Sequence, residues 1–434
     1  MSVQHYQEGP VDLPSQEYAA WPPGEDTVRC PHAYFRTLRE HAPVYRYPGG
    51  GDDAPAIFIV TGWEEAASVL LRPQSFANHL GGLLPAFDEN ELPLPVPGAA
   101  SFYEDDNVFF ADGEDHRAKR AWVLRLVTRD NLEAFRPVVE AEVDRLIDAF
   151  IADGRCDFRG QFTDVMPMVV VRQIMGLPDA VDPMIKRMSR AISVSDNNPA
   201  QTPEQVAELQ ASSLAVLQAC VEVLRSRQAA PLDGDYVSGL IAHQVRRDGA
   251  IDLNALAKHL MVTIFGADHA MGGHLADIAA RLGRDPELQD KVRADRSLIR
   301  RLANESLRIE SPVPWLFRNC VADAVVGSVT IPAGSLVLVA SVAANRDPAK
   351  FPDPEAFDLD RVNVERDHLT LGRGVHRCAG AEMARLQADV TVNRLLDRLA
   401  DIRLDEATSD LIPELSYGFR VPAEVHLTFR RAAG

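Results

Sequence analysis

The chain has 434 residues, 46% of them hydrophobic, so it can bury a large core, and its length alone would allow two or three domains. A formal net charge of −18 argues against general nucleic-acid binding and against attachment to anionic lipid. Met1 to Pro23 is polar and proline-containing, and no apolar stretch reads as long enough to cross a bilayer, so neither a secretory signal nor a membrane span is expected.

In chain order, strand-like Val44 to Tyr47 and Ala56 to Val60, separated by Pro48-Gly49-Gly50-Gly51-Asp52-Asp53, predict a hairpin. A Pro/Gly-rich stretch follows between Gly81 and Ala100. His116 and Arg120 then stand four apart, which puts them on one helical face. Arg117, Lys119, Arg120, Arg125 and Arg129 concentrate positive charge in the same segment. Long helical patterns cover Leu132 to Ile151, Pro203 to Arg227, Leu253 to Leu282 and Ala381 to Leu399. Glu305 and Arg308 share a face of another helix, in which Leu298, Leu302 and Leu307 recur at roughly helical spacing. Ala324 to Ile331 and Ser335 to Ala340, around Pro332-Ala333-Gly334, predict a second hairpin, and there is no internal repeat.

Chemistry enters at Leu371-Gly372-Arg373-Gly374-Val375-His376-Arg377-Cys378-Ala379-Gly380, a glycine-punctuated loop that presents one cysteine just ahead of the last long helix. Its glycines admit backbone conformations closed to other residues, so the loop can fold tightly beneath a flat macrocycle. A helix N-terminus nearby favours a thiolate over a thiol. An axial thiolate pushes electron density onto haem iron. The other cysteines, Cys30, Cys156, Cys220 and Cys320, are scattered and lack Cys-x-x-Cys spacing, so neither a disulfide framework nor a zinc site is indicated and a reducing cytoplasm is expected.

This loop resembles the haem-binding signature of the cytochrome P450 superfamily, an aromatic residue followed by Gly-x-Gly-x-His-x-Cys-x-Gly. Gly372, Gly374, His376, Cys378 and Gly380 match, while Leu371 stands where the family usually has phenylalanine. Phe351-Pro352-Asp353-Pro354-Glu355-Ala356-Phe357-Asp358-Leu359-Asp360-Arg361 resembles the family's meander, whose arginine, here Arg361, completes a buried structural cluster with Glu305 and Arg308. The resemblance implies a mainly α fold over residues 1–434 as one catalytic domain, with a small β-rich region at about 40–75 and 315–345. Haem b would lie between a distal central helix and the proximal cysteine loop, with Cys378 as its iron ligand. His116, Arg120, Arg318 and His376 would hold its propionates.

The distal helix departs from the family pattern. Aligning the usual acid on Asp268 puts His269 at the threonine position, and a register one residue later would put Ala270 there; neither supplies a hydroxyl. Asp268 and His269 are therefore the candidate proton-handling residues, with His269 packed between helices as the alternative. The resemblance puts pocket walls at Phe265, Gly266, Trp315, Phe317 and Tyr417, with Phe102, Tyr103, Phe109 and Met168 nearby, and a distal lid over Gly81 to Ala100.

The implied activity is insertion of one oxygen atom of O2 into an apolar or aromatic small molecule, by hydroxylation or O-dealkylation. The chain contains no recognisable flavin or nicotinamide domain, so NAD(P)H would act indirectly, through a ferredoxin or flavodoxin type donor. That donor would dock on a proximal basic patch formed by the Arg117 to Arg129 segment with Arg373 and Arg377. The expected enzyme is a cytoplasmic monomer without nucleic-acid or membrane partners. A peroxide-using, coupling or rearrangement catalyst and a non-catalytic haem protein are the alternatives.

Overall fold

The computed structural model describes residues 29–47, 55–79, 86–87, 93–94, 107–195, 202–416 and 418–432. Three of its longest helices start where the sequence offers a capping oxygen. The Thr128 hydroxyl accepts the Asn131 N–H at 3.3 Å ahead of Arg129–Phe150. Thr202 and Gln205 cap each other at 3.3 and 2.9 Å ahead of α3 (Pro203–Ala229). Asp252 accepts the N–H groups of Asn254 and Ala255, both at 3.0 Å, ahead of α4 (Leu253–Arg284). Each such cap satisfies donors that a helix start leaves orphaned.

Helix α4 has 32 residues and so spans about 48 Å at 1.5 Å per residue. Leu256, Leu260, Ile264, Leu275, Ile278 and Leu282 are all buried, the pattern of a core helix. Against it pack α2 (Asp182–Ser195) and α3 on one side, and α5 (Ile299–Ile309) and α6 (Ala381–Arg398) on another. Close approaches require glycine on α4: a Cβ on Gly272 would come within 2.8 Å of the Thr163 carbonyl oxygen in a π-helical turn, Arg159–Thr163, and one on Gly283 within 2.6 Å of the Leu404 nitrogen. Ahead of these, α1 (Gly113–Leu126) carries His116 and Arg120.

The four long helical patterns and the first hairpin are present with boundaries moved by at most three residues. That hairpin pairs β1 (Val44–Arg46) with β2 (Ile57–Val60) in antiparallel register. The second is different. Ala324–Val326 pairs with Val329–Ile331 around Gly327, whose φ of 57° suits glycine. The following strand, β5 (Leu336–Val339), instead enters a five-stranded sheet of order β1-β2-β5-β4-β3, where β3 is Phe76–Ala77 and β4 is Leu316–Cys320. It runs parallel to β2 and antiparallel to β4 and is fully buried, as both-face coverage of a parallel pair requires.

Two further corrections concern extent. A C-terminal sheet joins Leu399–Leu404, His426–Arg431 and Arg155–Asp157, and Asp410–Pro413 pairs with Pro422–Glu424, so β structure is not confined to residues 40–75 and 315–345. Helix α3 is long and apolar enough to cross a membrane by length and composition, contrary to the reading of the sequence. Its Leu209, Val216, Cys220 and Leu224 are buried in the protein core.

Candidate active site

Local backbone chemistry shapes the cysteine loop. Gly372 and Gly374 take φ of 67° and 76°, and a Cβ on Gly374 would approach the Leu70 carbonyl oxygen to 2.6 Å. The loop is thereby pressed against the helix Trp63–Leu70. The Cys378 N–H donates to the Leu371 carbonyl at 2.7 Å, closing the loop ahead of α6. The Cys378 side chain is exposed although protein surrounds it densely, so its sulfur faces a cavity inside the fold. The expected electrostatics need correction. Burial pushes the Cys378 thiol up, and the Gly380 N–H with Arg120, Arg377 and Arg385 only partly offsets this. Proximity to α6 therefore does not make a thiolate unaided, and a bound metal cation would have to displace the proton.

Cations and donors converge near this loop. The His116 and His376 rings lie 3.9 Å apart between centroids, tilted by 37°, and His376 Nε2 stands 3.3 Å from an Asp112 carboxylate oxygen. His116 Nε2 is buried without a hydrogen-bond partner. Burial, with the charges of His376 and Arg120, lowers the His116 pKa to about 4. Arg318 is buried on β4, and its Nη1 donates to the neighbouring Phe317 carbonyl at 2.6 Å. Desolvation pulls Arg318 down to about 10, against only the charge of Asp112. Arg120 is half-buried, and its charge acts on Cys378. Arg373, which sequence reasoning placed only on the docking patch, keeps a buried Nη1 without a partner. A buried guanidinium at Arg318, with nitrogens of His116 and Arg373 unpartnered among the described residues, suits an anionic partner.

The Glu305, Arg308 and Arg361 cluster is formed. Glu305 and Arg308 are 0% exposed and meet through two hydrogen bonds of 2.7 and 2.8 Å. Arg361 Nε donates to the same carboxylate at 3.2 Å, as does the Asp358 N–H at 3.0 Å. Arg308 also donates to the carbonyls of Asn345, Pro354 and Ala356, which ties α5 to the meander.

On α4, burial breaks off at the centre. Gly266 is exposed and Ala267, His269 and Ala270 are half-buried between buried neighbours, so this stretch borders a cavity. Gly266 lies under Phe109, since a Cβ there would sit 3.1 Å from the ring. Phe265 is buried edge-on to Phe419 at 5.6 Å. Phe317 is half-buried, whereas Trp315 packs edge-on to Phe35 at 6.4 Å inside the core and lines no open surface. Met168 is likewise a core residue. Tyr417, Phe102 and Tyr103 lie outside the described residues, as does most of the Gly81 to Ala100 stretch.

Asp268 and His269 share a partner that sequence reasoning missed. Ser189 Oγ on α2 lies 3.0 Å from His269 Nδ1, and the Ser189 hydroxyl also acts on the Asp268 carboxyl, opposing the upward push of burial. Nothing local in the sequence marks Ser189, because its partners are 79 and 80 positions away. Burial raises Asp268 to about 6 and lowers His269 to about 4. A raised acid favours folding fully below the unfolded pKa near 4, and that advantage is lost as pH rises through about 6. Asp268→Asn is therefore expected to raise stability by about 3 kcal/mol at pH 8 and to match the wild type near pH 4, measured by urea unfolding across that range.

The docking patch also changes. Lys119 is buried and pairs with Asp115 at 2.5 Å, so it contributes no surface charge. Arg117 and Arg129 remain exposed, and Arg125 and Arg377 are half-buried.

Residues 275–416 match the family described as Cytochrome P450. The chain is 30% identical over 382 residues to Cytochrome P450 107B1 of Saccharopolyspora erythraea, covering 88% of this chain and 90% of that protein. It is 29% identical to Cytochrome P450 monooxygenase PikC of Streptomyces venezuelae over 90% of this chain and 88% of the relative. Among solved structures, the substrate-free Mycobacterium marinum cytochrome P450 CYP150A6 superposes with a TM-score of 0.80 at 27% identity, covering 96% of this chain and all of that one.

Proposed function

Because this chain belongs to the cytochrome P450 family and is one of its monooxygenases, we propose that it inserts one oxygen atom of O2 into an apolar or aromatic small molecule, by hydroxylation or O-dealkylation. The observation that carries this reading is Cys378, a sulfur facing an internal cavity, with the buried Arg318 guanidinium nearby and His116 Nε2 and Arg373 Nη1 left without partners among the described residues. This donor set fits haem b: one soft axial ligand, and separate cationic partners for two carboxylates. When bound, the haem supplies oxygen activation at an iron made electron-rich by its thiolate.

The protein's own groups supply placement and protons. Cys378 would hold the iron, while His116, Arg120, Arg318 and His376 would fix the propionates, with Asp112 orienting His376. Phe265, Gly266 and Phe317 give an apolar surface beside the cavity, which suits an apolar substrate and excludes water. Asp268 and His269 would hold the protons that the chemistry consumes. Electrons would come from NAD(P)H through a ferredoxin or flavodoxin type protein docking near Arg117, Arg129 and Arg377, where opposite charge speeds encounter. We place the enzyme in the cytoplasm as a monomeric, single-domain catalyst.

The test starts from a screen for small molecules that shift the haem spin state. Each hit is then incubated with dioxygen plus a ferredoxin and reductase, with peroxide alone, or with neither. Oxygenated product is expected chiefly in the first condition, with the added atom derived from labelled dioxygen. Product from peroxide alone would identify a peroxygenase. Binding without product in any condition would mark a non-catalytic haem protein.

A further inference from the structure

We propose that Ser189, on α2, supplies the hydroxyl that α4 lacks and forms with Asp268 and His269 a three-membered proton path ending at His269 Nε2 on the distal cavity. The inference rests on the monooxygenase reading above. Ser189 is 3% exposed, so its hydroxyl is held away from bulk water between α2 and α4. Its oxygen meets His269 Nδ1 at 3.0 Å, and the same hydroxyl acts on the neighbouring Asp268 carboxyl, opposing the upward push of burial. The His269 ring is half-buried and steadied edge-on to Phe419 at 5.3 Å. With Nδ1 turned to Ser189, Nε2 is the opposite end of the ring, on the stretch of α4 that borders the cavity.

A hydroxyl donates once and accepts, so the three groups have two self-consistent arrangements. In one, a neutral Asp268 donates to Ser189, Ser189 donates to Nδ1, and the ring proton sits on Nε2. In the other, the Asp268 carboxylate accepts from Ser189, Ser189 accepts from Nδ1–H, and Nε2 carries a lone pair. Passing from the first to the second releases one proton at Nε2. The hydroxyl proton moves to Nδ1, the carboxyl proton moves to Oγ, and Asp268 is left as a carboxylate. The released proton goes to the oxygen that leaves as water in the monooxygenase stoichiometry. No imidazolium forms at any point, which suits a ring whose burial disfavours the charged form.

Charged groups from several elements face the path. Lys186, exposed on α2, and Asp164, at the end of the π-helical turn, act on Asp268 with opposite signs. Arg159 and Glu414 act on His269 with opposite signs and pair with each other at 2.9 Å. Arg159 also approaches Asp164 at 3.5 Å, and Arg190, on α2, acts on Glu414.

The test uses nitrogen-15 histidine NMR of the reduced, carbon monoxide-bound holoenzyme, which is diamagnetic, with His269 assigned by loss of its signals in His269→Phe. In the wild type the His269 tautomer is expected to change from Nε2–H to Nδ1–H as pH rises through the Asp268 titration. Ser189→Ala should abolish that change, lower product per reducing equivalent on the order of tenfold with peroxide released instead, and affect peroxide-driven turnover less. Ser189→Thr should restore both the tautomer response and the coupling. An identical tautomer response in wild type and Ser189→Ala, or unaltered coupling in Ser189→Ala, overturns the path. The NMR arm needs no turnover: a wild type without product whose tautomer still depends on Ser189 sinks the monooxygenase reading and supports the path.

Discussion

Cys378→Ser is expected to abolish the red-shifted Soret band of the reduced carbon monoxide complex and to remove monooxygenase turnover. A serine hydroxyl keeps the side chain nearly the same size, so the loop closed by the Cys378 N–H and the Leu371 carbonyl should survive. What it removes is the soft, electron-donating sulfur that faces the cavity. The loss should therefore appear in the spectrum and in turnover while the unfolding midpoint moves little. A variant that kept the shifted band would show that another residue ligates the iron.

Glu305→Gln should have the largest effect on the fold itself. It leaves Arg308, 0% exposed, without the carboxylate it meets twice, and deprives Arg361 of the same partner. Breaking a buried pair from one side typically costs about 3–5 kcal/mol, because the other charge stays desolvated and unpaired. The carbonyls of Asn345, Pro354 and Ala356 still accept from Arg308, so the cost should fall at the lower end of that range. Urea unfolding of the holoenzyme, with haem content after purification, measures it. An unchanged midpoint would mean that the meander is held by its backbone contacts alone.

The cysteine loop was legible because its two positive-φ glycines and its cysteine stand at fixed short spacing, whereas the Glu305 cluster was legible only through the resemblance of the meander, since Arg361 lies 56 positions away from Glu305. Long helices were legible because periodicity is local. Strand pairing is not, and so Leu336–Val339 was assigned to a hairpin with its sequence neighbour when its partners are β2 and β4. Lys119 read as surface charge because its pairing with Asp115 and its burial depend on what α1 packs against. Trp315 read as a pocket wall because its neighbour Phe35 comes from the far end of the chain. Ser189 was invisible for the same reason, as a serine in a helix has no meaning until another helix is laid across it.

The parallel pairing of Ile57 with Leu336 has a bearing on how the chain assembles. Most of the chain between these residues is helical and built from neighbouring segments, so it can condense early from local encounters. Closing the ladder between β2 and β5 must await the ends of a very long loop, and the entropy of that closure is returned only when the strand pair docks. The helix ending at Leu70 follows β2 directly and presses on Gly374 of the cysteine loop, so the ladder that seats β2 also seats the backing of that loop.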